Sequence, residues 1–127
     1  MRSVCLIAAV MAFGIAPAFA ADMAPASAAN TDKGPVLVDG KQMMLYTFAK
    51  DTATQSNCNG ACASSWPPLM APASAAATGD WTVVTRADGT KQWAYKGHPL
   101  YNWMKDTKPG DMTGDGFANG AWHVAQP

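Results

Sequence analysis

Leu45-Tyr46-Thr47-Phe48-Ala49-Lys50-Asp51 and Leu100-Tyr101-Asn102-Trp103-Met104-Lys105-Asp106 share the pattern L-Y-x-(F/W)-x-K-D at a fixed offset of 55 positions. Further on, Trp66 of SSWPPL falls within one residue of matching Trp122 of GAWHVA, so each copy closes with a tryptophan. An internal duplication is the economical explanation. Within each motif, residues two apart point the same way on a strand, so Tyr46 and Phe48 form one aromatic ladder and Tyr101 and Trp103 a second. Asp51 and Asp106 fall just past the strand end, where an Asp side chain accepts hydrogen bonds from following backbone N–H groups and fixes a turn. The expected role is core ladder plus turn lock. A functional reading stands beside it: the duplicated aromatics form a stacking surface for a planar ligand, a sugar or a haem. Five tryptophans in so small a chain keep that option open.

Around the motifs, turn signals are dense. Asp39-Gly40 and Asp88-Gly89 each sit between apolar runs, where a two-residue loop with positive φ at both positions matches strand twist. One hairpin is therefore expected from Val36–Val38 and Met43–Phe48, and a second from Trp81–Thr85 and Lys91–Tyr95. Further strands are expected at Leu100–Trp103 and Ala121–Ala125. Only Cys58 to Ser65 reads as helical. All nine acids are Asp, which favours turns and caps over helix interiors. The expected fold is mainly β: a small antiparallel sheet domain with an internal pseudo-twofold repeat and one short helix near the cysteine pair.

The ends of the chain read differently. Residues 1–20 carry one basic residue, Arg2, an apolar run from Val4 to Phe13, Pro17, and the triplet Ala18-Phe19-Ala20, the order of a secretory signal peptide cleaved after Ala20. The run is too short for a spanning helix, and Cys5 lies too early to take a lipid, so no stable membrane anchor is expected after cleavage. Residues 21–33 read as a flexible leader, and 34–127 as a single β-rich domain of two repeats, 34–69 and 79–127. The Ala- and Pro-rich Met70–Thr78 stretch is the linker between them, with a short helix from Ala73 to Ala77 as the alternative. Loss of Arg2 leaves eight Lys and Arg against nine acids with no basic stripe, which argues against nucleic acid as a partner.

The motif Y-x-(F/W)-x-x-D given twice, with CNGACASSWPPL after the first copy and DGTKQWAYKGHPLY before the second, resembles the bacterial secreted-repeat family of predicted lipoproteins, from about Gly34 to the C-terminus. The resemblance implies export, tandem copies and no agreed biochemical activity.

Cys58 and Cys62 are the cysteines that remain after export, which places them in an oxidising compartment, so a structural disulfide is expected. A spacing of four on a helical turn sets the Cα atoms about 6 Å apart, within bridging range. The small loop yields about 2 kcal/mol in the chain-entropy account. The competing chemistry is copper. The C-x-x-x-C spacing resembles that of Sco-type copper chaperones, where two thiolates and a distant histidine hold the metal. Here His98 and His123 are the candidate histidines, with Met43, Met44, Met70, Met104 and Met112 as thioether reserves. The Sco spacing belongs to βαβ units, and this chain shows hairpins in their place. Asp111–Gly116 resembles the first half of a calcium loop, but Trp122 stands where the loop needs a bidentate Glu. A Gly-rich turn is the better reading. No serine elbow, H-E-x-x-H pair or phosphate-cradling Gly loop occurs. The expected function is that of an exported, non-enzymatic periplasmic or envelope protein that binds an unknown envelope partner or small ligand without a cofactor. A copper-handling or electron-transfer accessory using Cys58 and Cys62, and a glycan-binding module, are the alternatives.

Overall fold

A computed structural model describes residues 25–127; the expected signal peptide, residues 1–20, lies outside them, as does the start of the leader. The chain runs β1 (Ser27–Thr31), β2 (Gly34–Val38), β3 (Tyr46–Phe48), helix α1 (Ala61–Ser65), β4 (Met70–Ala71), β5 (Trp81–Thr85), β6 (Lys91–Tyr95), β7 (His98–Pro99) and β8 (Trp122–Val124). All pairings between strands are antiparallel, and one short helix sits beside the cysteine pair. The protein is mainly β and built from two repeat-like halves.

The hairpin β5–β6 forms where the alternating sequence places it, but its loop differs from the expected one. Arg86 N–H bonds to Thr90 O and Gly89 N–H to Arg86 O, and of Asp88 and Gly89 only Gly89 has positive φ, at 89°. This is a three-residue loop ending in a left-handed glycine. The two-residue kind, with positive φ at both positions, occurs instead at Lys96-Gly97 between β6 and β7. At Asp39-Gly40 the left-handed residue is Gln42, at φ 68°, and the Asp39 carboxylate takes the N–H groups of Lys41 and Met43. The expected first hairpin survives as the Val38–Met44 bridge, the Asp39 N–H bond to Met43 O and the Leu45 N–H bond to Leu37 O.

The main partner of β2 is β1, which pairs along its whole length from Ser27↔Val38 to Thr31↔Gly34. Ser27–Thr31 was expected to belong to the flexible leader. The reading fails because β1 is held by its backbone, while its Ala, Ser and Asn side chains give no apolar signal. The linker is likewise shorter than expected: Met70 and Ala71 form β4 on the edge of β6, and Pro72–Ala77 carries a turn from Ala75 N–H to Pro72 O in place of a helix. The expected strand Leu100–Trp103 reduces to bridges at Tyr101, to Tyr46 on one side and Pro68 on the other.

A segment near the end of each repeat, Pro67–Leu69 in the first and β8 in the second, pairs with the tyrosine segment of the other. In one direction Tyr46↔Val124 and Phe48↔Trp122 pair, with Ala125 N–H bonded to Leu45 O. In the other, Pro68↔Tyr101 pair, with Leu69 N–H bonded to Leu100 O. The two tyrosines meet at the centre, where each backbone N–H bonds to the other's carbonyl, at 2.8 and 3.0 Å. That point is the pseudo-twofold axis.

On one side of it lies a four-ring stack. Trp66 and Trp122 lie parallel with centroids 3.8 Å apart; Trp103 stacks on Trp66 at 3.9 Å and Phe48 on Trp122 at 4.2 Å. Tyr46 meets Trp66 edge-on and Tyr101 meets Trp122 in the same way. Val36, Val38, Met44 and Cys58 complete this core. A smaller cluster of Leu37, Leu45, Leu100 and Ala125 lies elsewhere, with Leu69, Trp81 and Tyr95 packed against it.

Gly114 makes the stack possible, since a Cβ there would stand 2.6 Å from Trp66 Cη2 and 3.0 Å from Trp103. Gly114→Ala should therefore lower stability by about 1–3 kcal/mol. Gly40→Ala, which meets nothing within 4 Å, should change it by under about 0.5 kcal/mol. Urea denaturation of the two variants checks the contrast.

Candidate functional site

Tyr46 and Tyr101 are fully buried, so each hydroxyl needs a partner inside the protein. Each finds the aspartate of the other repeat. Tyr46 donates to Asp106 Oδ2 at 2.6 Å and Tyr101 to Asp51 Oδ2 at 2.5 Å. The second oxygen of each carboxylate holds its own loop: Asp51 Oδ1 accepts from Asn57 N–H at 2.7 Å, and Asp106 Oδ1 from Thr113 N–H at 3.0 Å. The aspartates thus lock a following loop, and in addition clamp the opposite half, which an argument confined to one strand does not reach.

The surroundings of the two locks differ. Around Tyr101, Ser56 Oγ lies 2.6 Å from the hydroxyl and accepts from Arg86 Nη1 at 3.0 Å. Arg86, only 7 % exposed, also donates to Gln92 Oε1 at 2.7 Å, Cys58 O at 2.7 Å and Asn59 Oδ1. Gln92 Nε2 in turn donates to Leu100 O. At the matching places around Tyr46 the first repeat has Thr31 and Val36 where the second has Arg86 and Gln92, and Met112 stands for Ser56. The Tyr101 lock sits in a network of polar side chains, whereas around the Tyr46 lock the further donors are Gly114 N–H to the tyrosine oxygen and the Thr113 hydroxyl to Asp106. Arg86, Gln92 and Ser56 were not singled out from the sequence. The signal that could have found Gln92 is a polar residue at a strand position where the aligned repeat carries Val36.

A disulfide joins Cys58 and Cys62 at the start of α1. In the second repeat Gly114 and Ala118 hold the corresponding places, and Ala118 and Asn119 are left-handed there. His98 lies on β7 and His123 on β8, where its ring faces Asp115 at 3.4 Å. The structure does not bring the cysteine pair together with either histidine: among the described residues no three His, Cys, Asp or Glu side chains are grouped to hold a metal. In the segment resembling a calcium loop, Asp111 is engaged by Lys108 and Thr107, which hold its carboxyl down at about 2, and Asp115 by Lys33 and Val124.

The tryptophans divide into two sets. Trp66, Trp103 and Trp122 are core. Trp81, Trp93 and Tyr95 are half-buried on one face of the β5–β6 hairpin, with Trp81 touching both of the others: it lies 4.8 Å from Tyr95 and 6.1 Å from Trp93, centroid to centroid. Two hollows flank this face. One, of about 460 Å³, runs between Trp93 and the Pro72–Thr78 loop. The other, of about 380 Å³, is bounded by Tyr95, Lys96, His98, Thr47 and Gln126 over an apolar floor at Leu100 and Ala125.

A family model described as a secreted repeat of unknown function matches residues 27–70 and 82–126, the two halves that exchange strands. The chain belongs to this secreted-repeat family. The matched copies begin at β1 and β5, so the repeat unit includes the strand that the sequence reading gave to the leader. Comparison with curated proteins and with solved structures finds no match. Among the described residues of this secreted repeat, no helix is long and apolar enough to cross a membrane.

Burial, and then the aspartate partner, push both tyrosine hydroxyls well above the ordinary value of 10.0. A group whose pKa is raised on folding contributes stability below its unfolded value and loses it as pH rises beyond that value. Above about pH 10 the two tyrosines together should steepen the loss of stability by about 2.7 kcal/mol per pH unit. Tyr46→Phe with Tyr101→Phe should remove that component. Urea denaturation from pH 8 to 11, with phenolate absorbance followed in parallel, measures both.

Proposed function

We propose that this secreted repeat is a non-enzymatic binding or accessory protein of the periplasm or cell envelope, and that its ligand-facing surface is the open aromatic face of β5–β6. One observation carries the reading: Trp81, Trp93 and Tyr95 stay partly exposed beside two hollows while the other three tryptophans are buried in the core. The groups of the two locks and of the cysteine pair are already engaged in holding the fold. Both motif aspartates clamp tyrosines, Arg86 is saturated with acceptors, and the cysteine sulfurs are bonded to each other. A balanced surface charge supports an envelope component or small molecule as partner over nucleic acid. The signal-type segment at residues 1–20 supports delivery across the inner membrane without a lasting anchor.

Glycan is the ligand class the aromatic face favours, because flat rings with polar groups at their rim suit the apolar faces of sugars. Lys96 beside Tyr95, 5.3 Å from the ring centroid, and His98 supply polar contacts at one end. Binding is read from the indole N–H resonances on adding a panel of neutral and acidic oligosaccharides. Those of Trp81 and Trp93 should shift while those of Trp66, Trp103 and Trp122 stay. Trp93→Ala should weaken the response at least about tenfold, as loss of one stacked ring does, with little change in melting temperature. No shift across the panel removes the glycan reading; shifts confined to other residues remove the surface itself.

A further inference from the structure

Neither repeat closes a core by itself. β3 of the first repeat pairs with β8 of the second, and the Pro67–Leu69 segment of the first pairs with Leu100–Asn102 of the second. Tyr46 is satisfied by Asp106 and Tyr101 by Asp51. The central pair of the tryptophan stack contains one ring from each half. What ties the halves covalently is the connector between Ala71 and Trp81, whose residues 72–80 are exposed apart from a half-buried Ala75.

The partner surface of each repeat is therefore complementary to the other repeat, whichever chain supplies it. We propose that two copies of this chain exchange repeats. The first repeat of one copy folds onto the second repeat of its partner, so both tyrosine–aspartate locks and the ring stack in each lobe form between chains. Closed monomer and exchanged dimer contain the same contacts and differ in the connector alone, the condition under which swapping is cheap. A short flexible tether holds its two ends at an effective concentration of order 1 mM, so the exchanged form gains ground as chain concentration approaches that value or when the connector cannot close.

Closure has a measurable requirement. Ala71 pairs with Lys91 on one side of β6, and Trp81 pairs with Tyr95 on the other. Four residues along a strand and two strand spacings across it amount to about 16 Å. Since Thr78 is bridged to Trp81, the distance is crossed between Ala71 and Thr78. Deleting residues 73–76 leaves three Cα steps, at most about 11 Å, too short to close the monomer.

The deletion variant of the signal-free protein should show twice the monomer mass by light scattering, with the near-ultraviolet dichroism of the wild-type ring stack. A monomer with that dichroism overturns the proposal. If the deletion prevents folding, the wild-type chain decides. Unlabelled and nitrogen-15-labelled copies are refolded together at concentrations up to about 1 mM. A doubled-mass species should grow with concentration and contain both kinds of chain, and mixing the copies after refolding should produce none. Absence of any doubled-mass species at every concentration overturns the proposal.

Discussion

A buried phenol must give its hydrogen to something, and in this protein each buried motif tyrosine gives it to an aspartate sixty or fifty residues away in the other repeat. That pair of reciprocal bonds is the constraint on which the rest depends. It brings the two tyrosine strands back to back, which lets their backbones bond to each other and leaves the outer side of each free for a segment near the end of the opposite half. The same arrangement carries Trp66 and Trp122 to the axis, where they can stack only because Gly114 lacks a Cβ. The desolvation of a carboxylate among aromatic rings is offset at Asp106 by three accepted bonds, from Tyr46 and from the backbone and hydroxyl of Thr113, and at Asp51 by two, from Tyr101 and the Asn57 backbone. At Asp51, burial still outweighs those bonds and holds the carboxyl above its ordinary value.

The two locks have diverged within one chain, and each serves as a reference for the other. Around Tyr46 the protein uses valine, methionine and threonine; around Tyr101 it uses glutamine, serine and a buried arginine. Both surroundings hold the same bond at nearly the same length. The arginine network is therefore one solution among two and not a requirement of the architecture. The cysteine bridge belongs to the same comparison, since Gly114 and Ala118 occupy its place in the second half without a covalent link, accepting left-handed backbone there. Polar networks of this kind are costly when half-formed, so removal of one member of the Arg86 cluster is a larger perturbation than its replacement as a set.

The motif aspartates, Arg86 and the cysteine sulfurs are engaged inside the fold, and the aromatic face of the second hairpin is the surface we propose for a ligand. The first hairpin does not repeat this feature. Its outer strand is Ser-Ala-Ala-Asn-Thr, against Trp-Thr-Val-Val-Thr in the second. The aromatic surface is thus a property of one half, added to a duplicated frame that does not need it.

The duplication, the strands β5, β6 and β8, the short helix and the cysteine pair are legible from residue order alone, because alternation, turn residues and spacing act over a few positions. Strand β1 is not, since SAANT holds its place by backbone pairing that side-chain pattern does not encode. Nor does any local signal separate the core tryptophans Trp66, Trp103 and Trp122 from the half-exposed Trp81 and Trp93; all are large, apolar and near turns. That Asp106 belongs to Tyr46 and Asp51 to Tyr101, with Arg86 reaching Cys58 O, was decided only by the tertiary structure. The amino-acid order fixed which segments could become strands. Which half's carboxylate meets which half's hydroxyl depends on how two similar segments cross at one axis, and identical motifs carry no information that distinguishes pairing within a repeat from pairing across it.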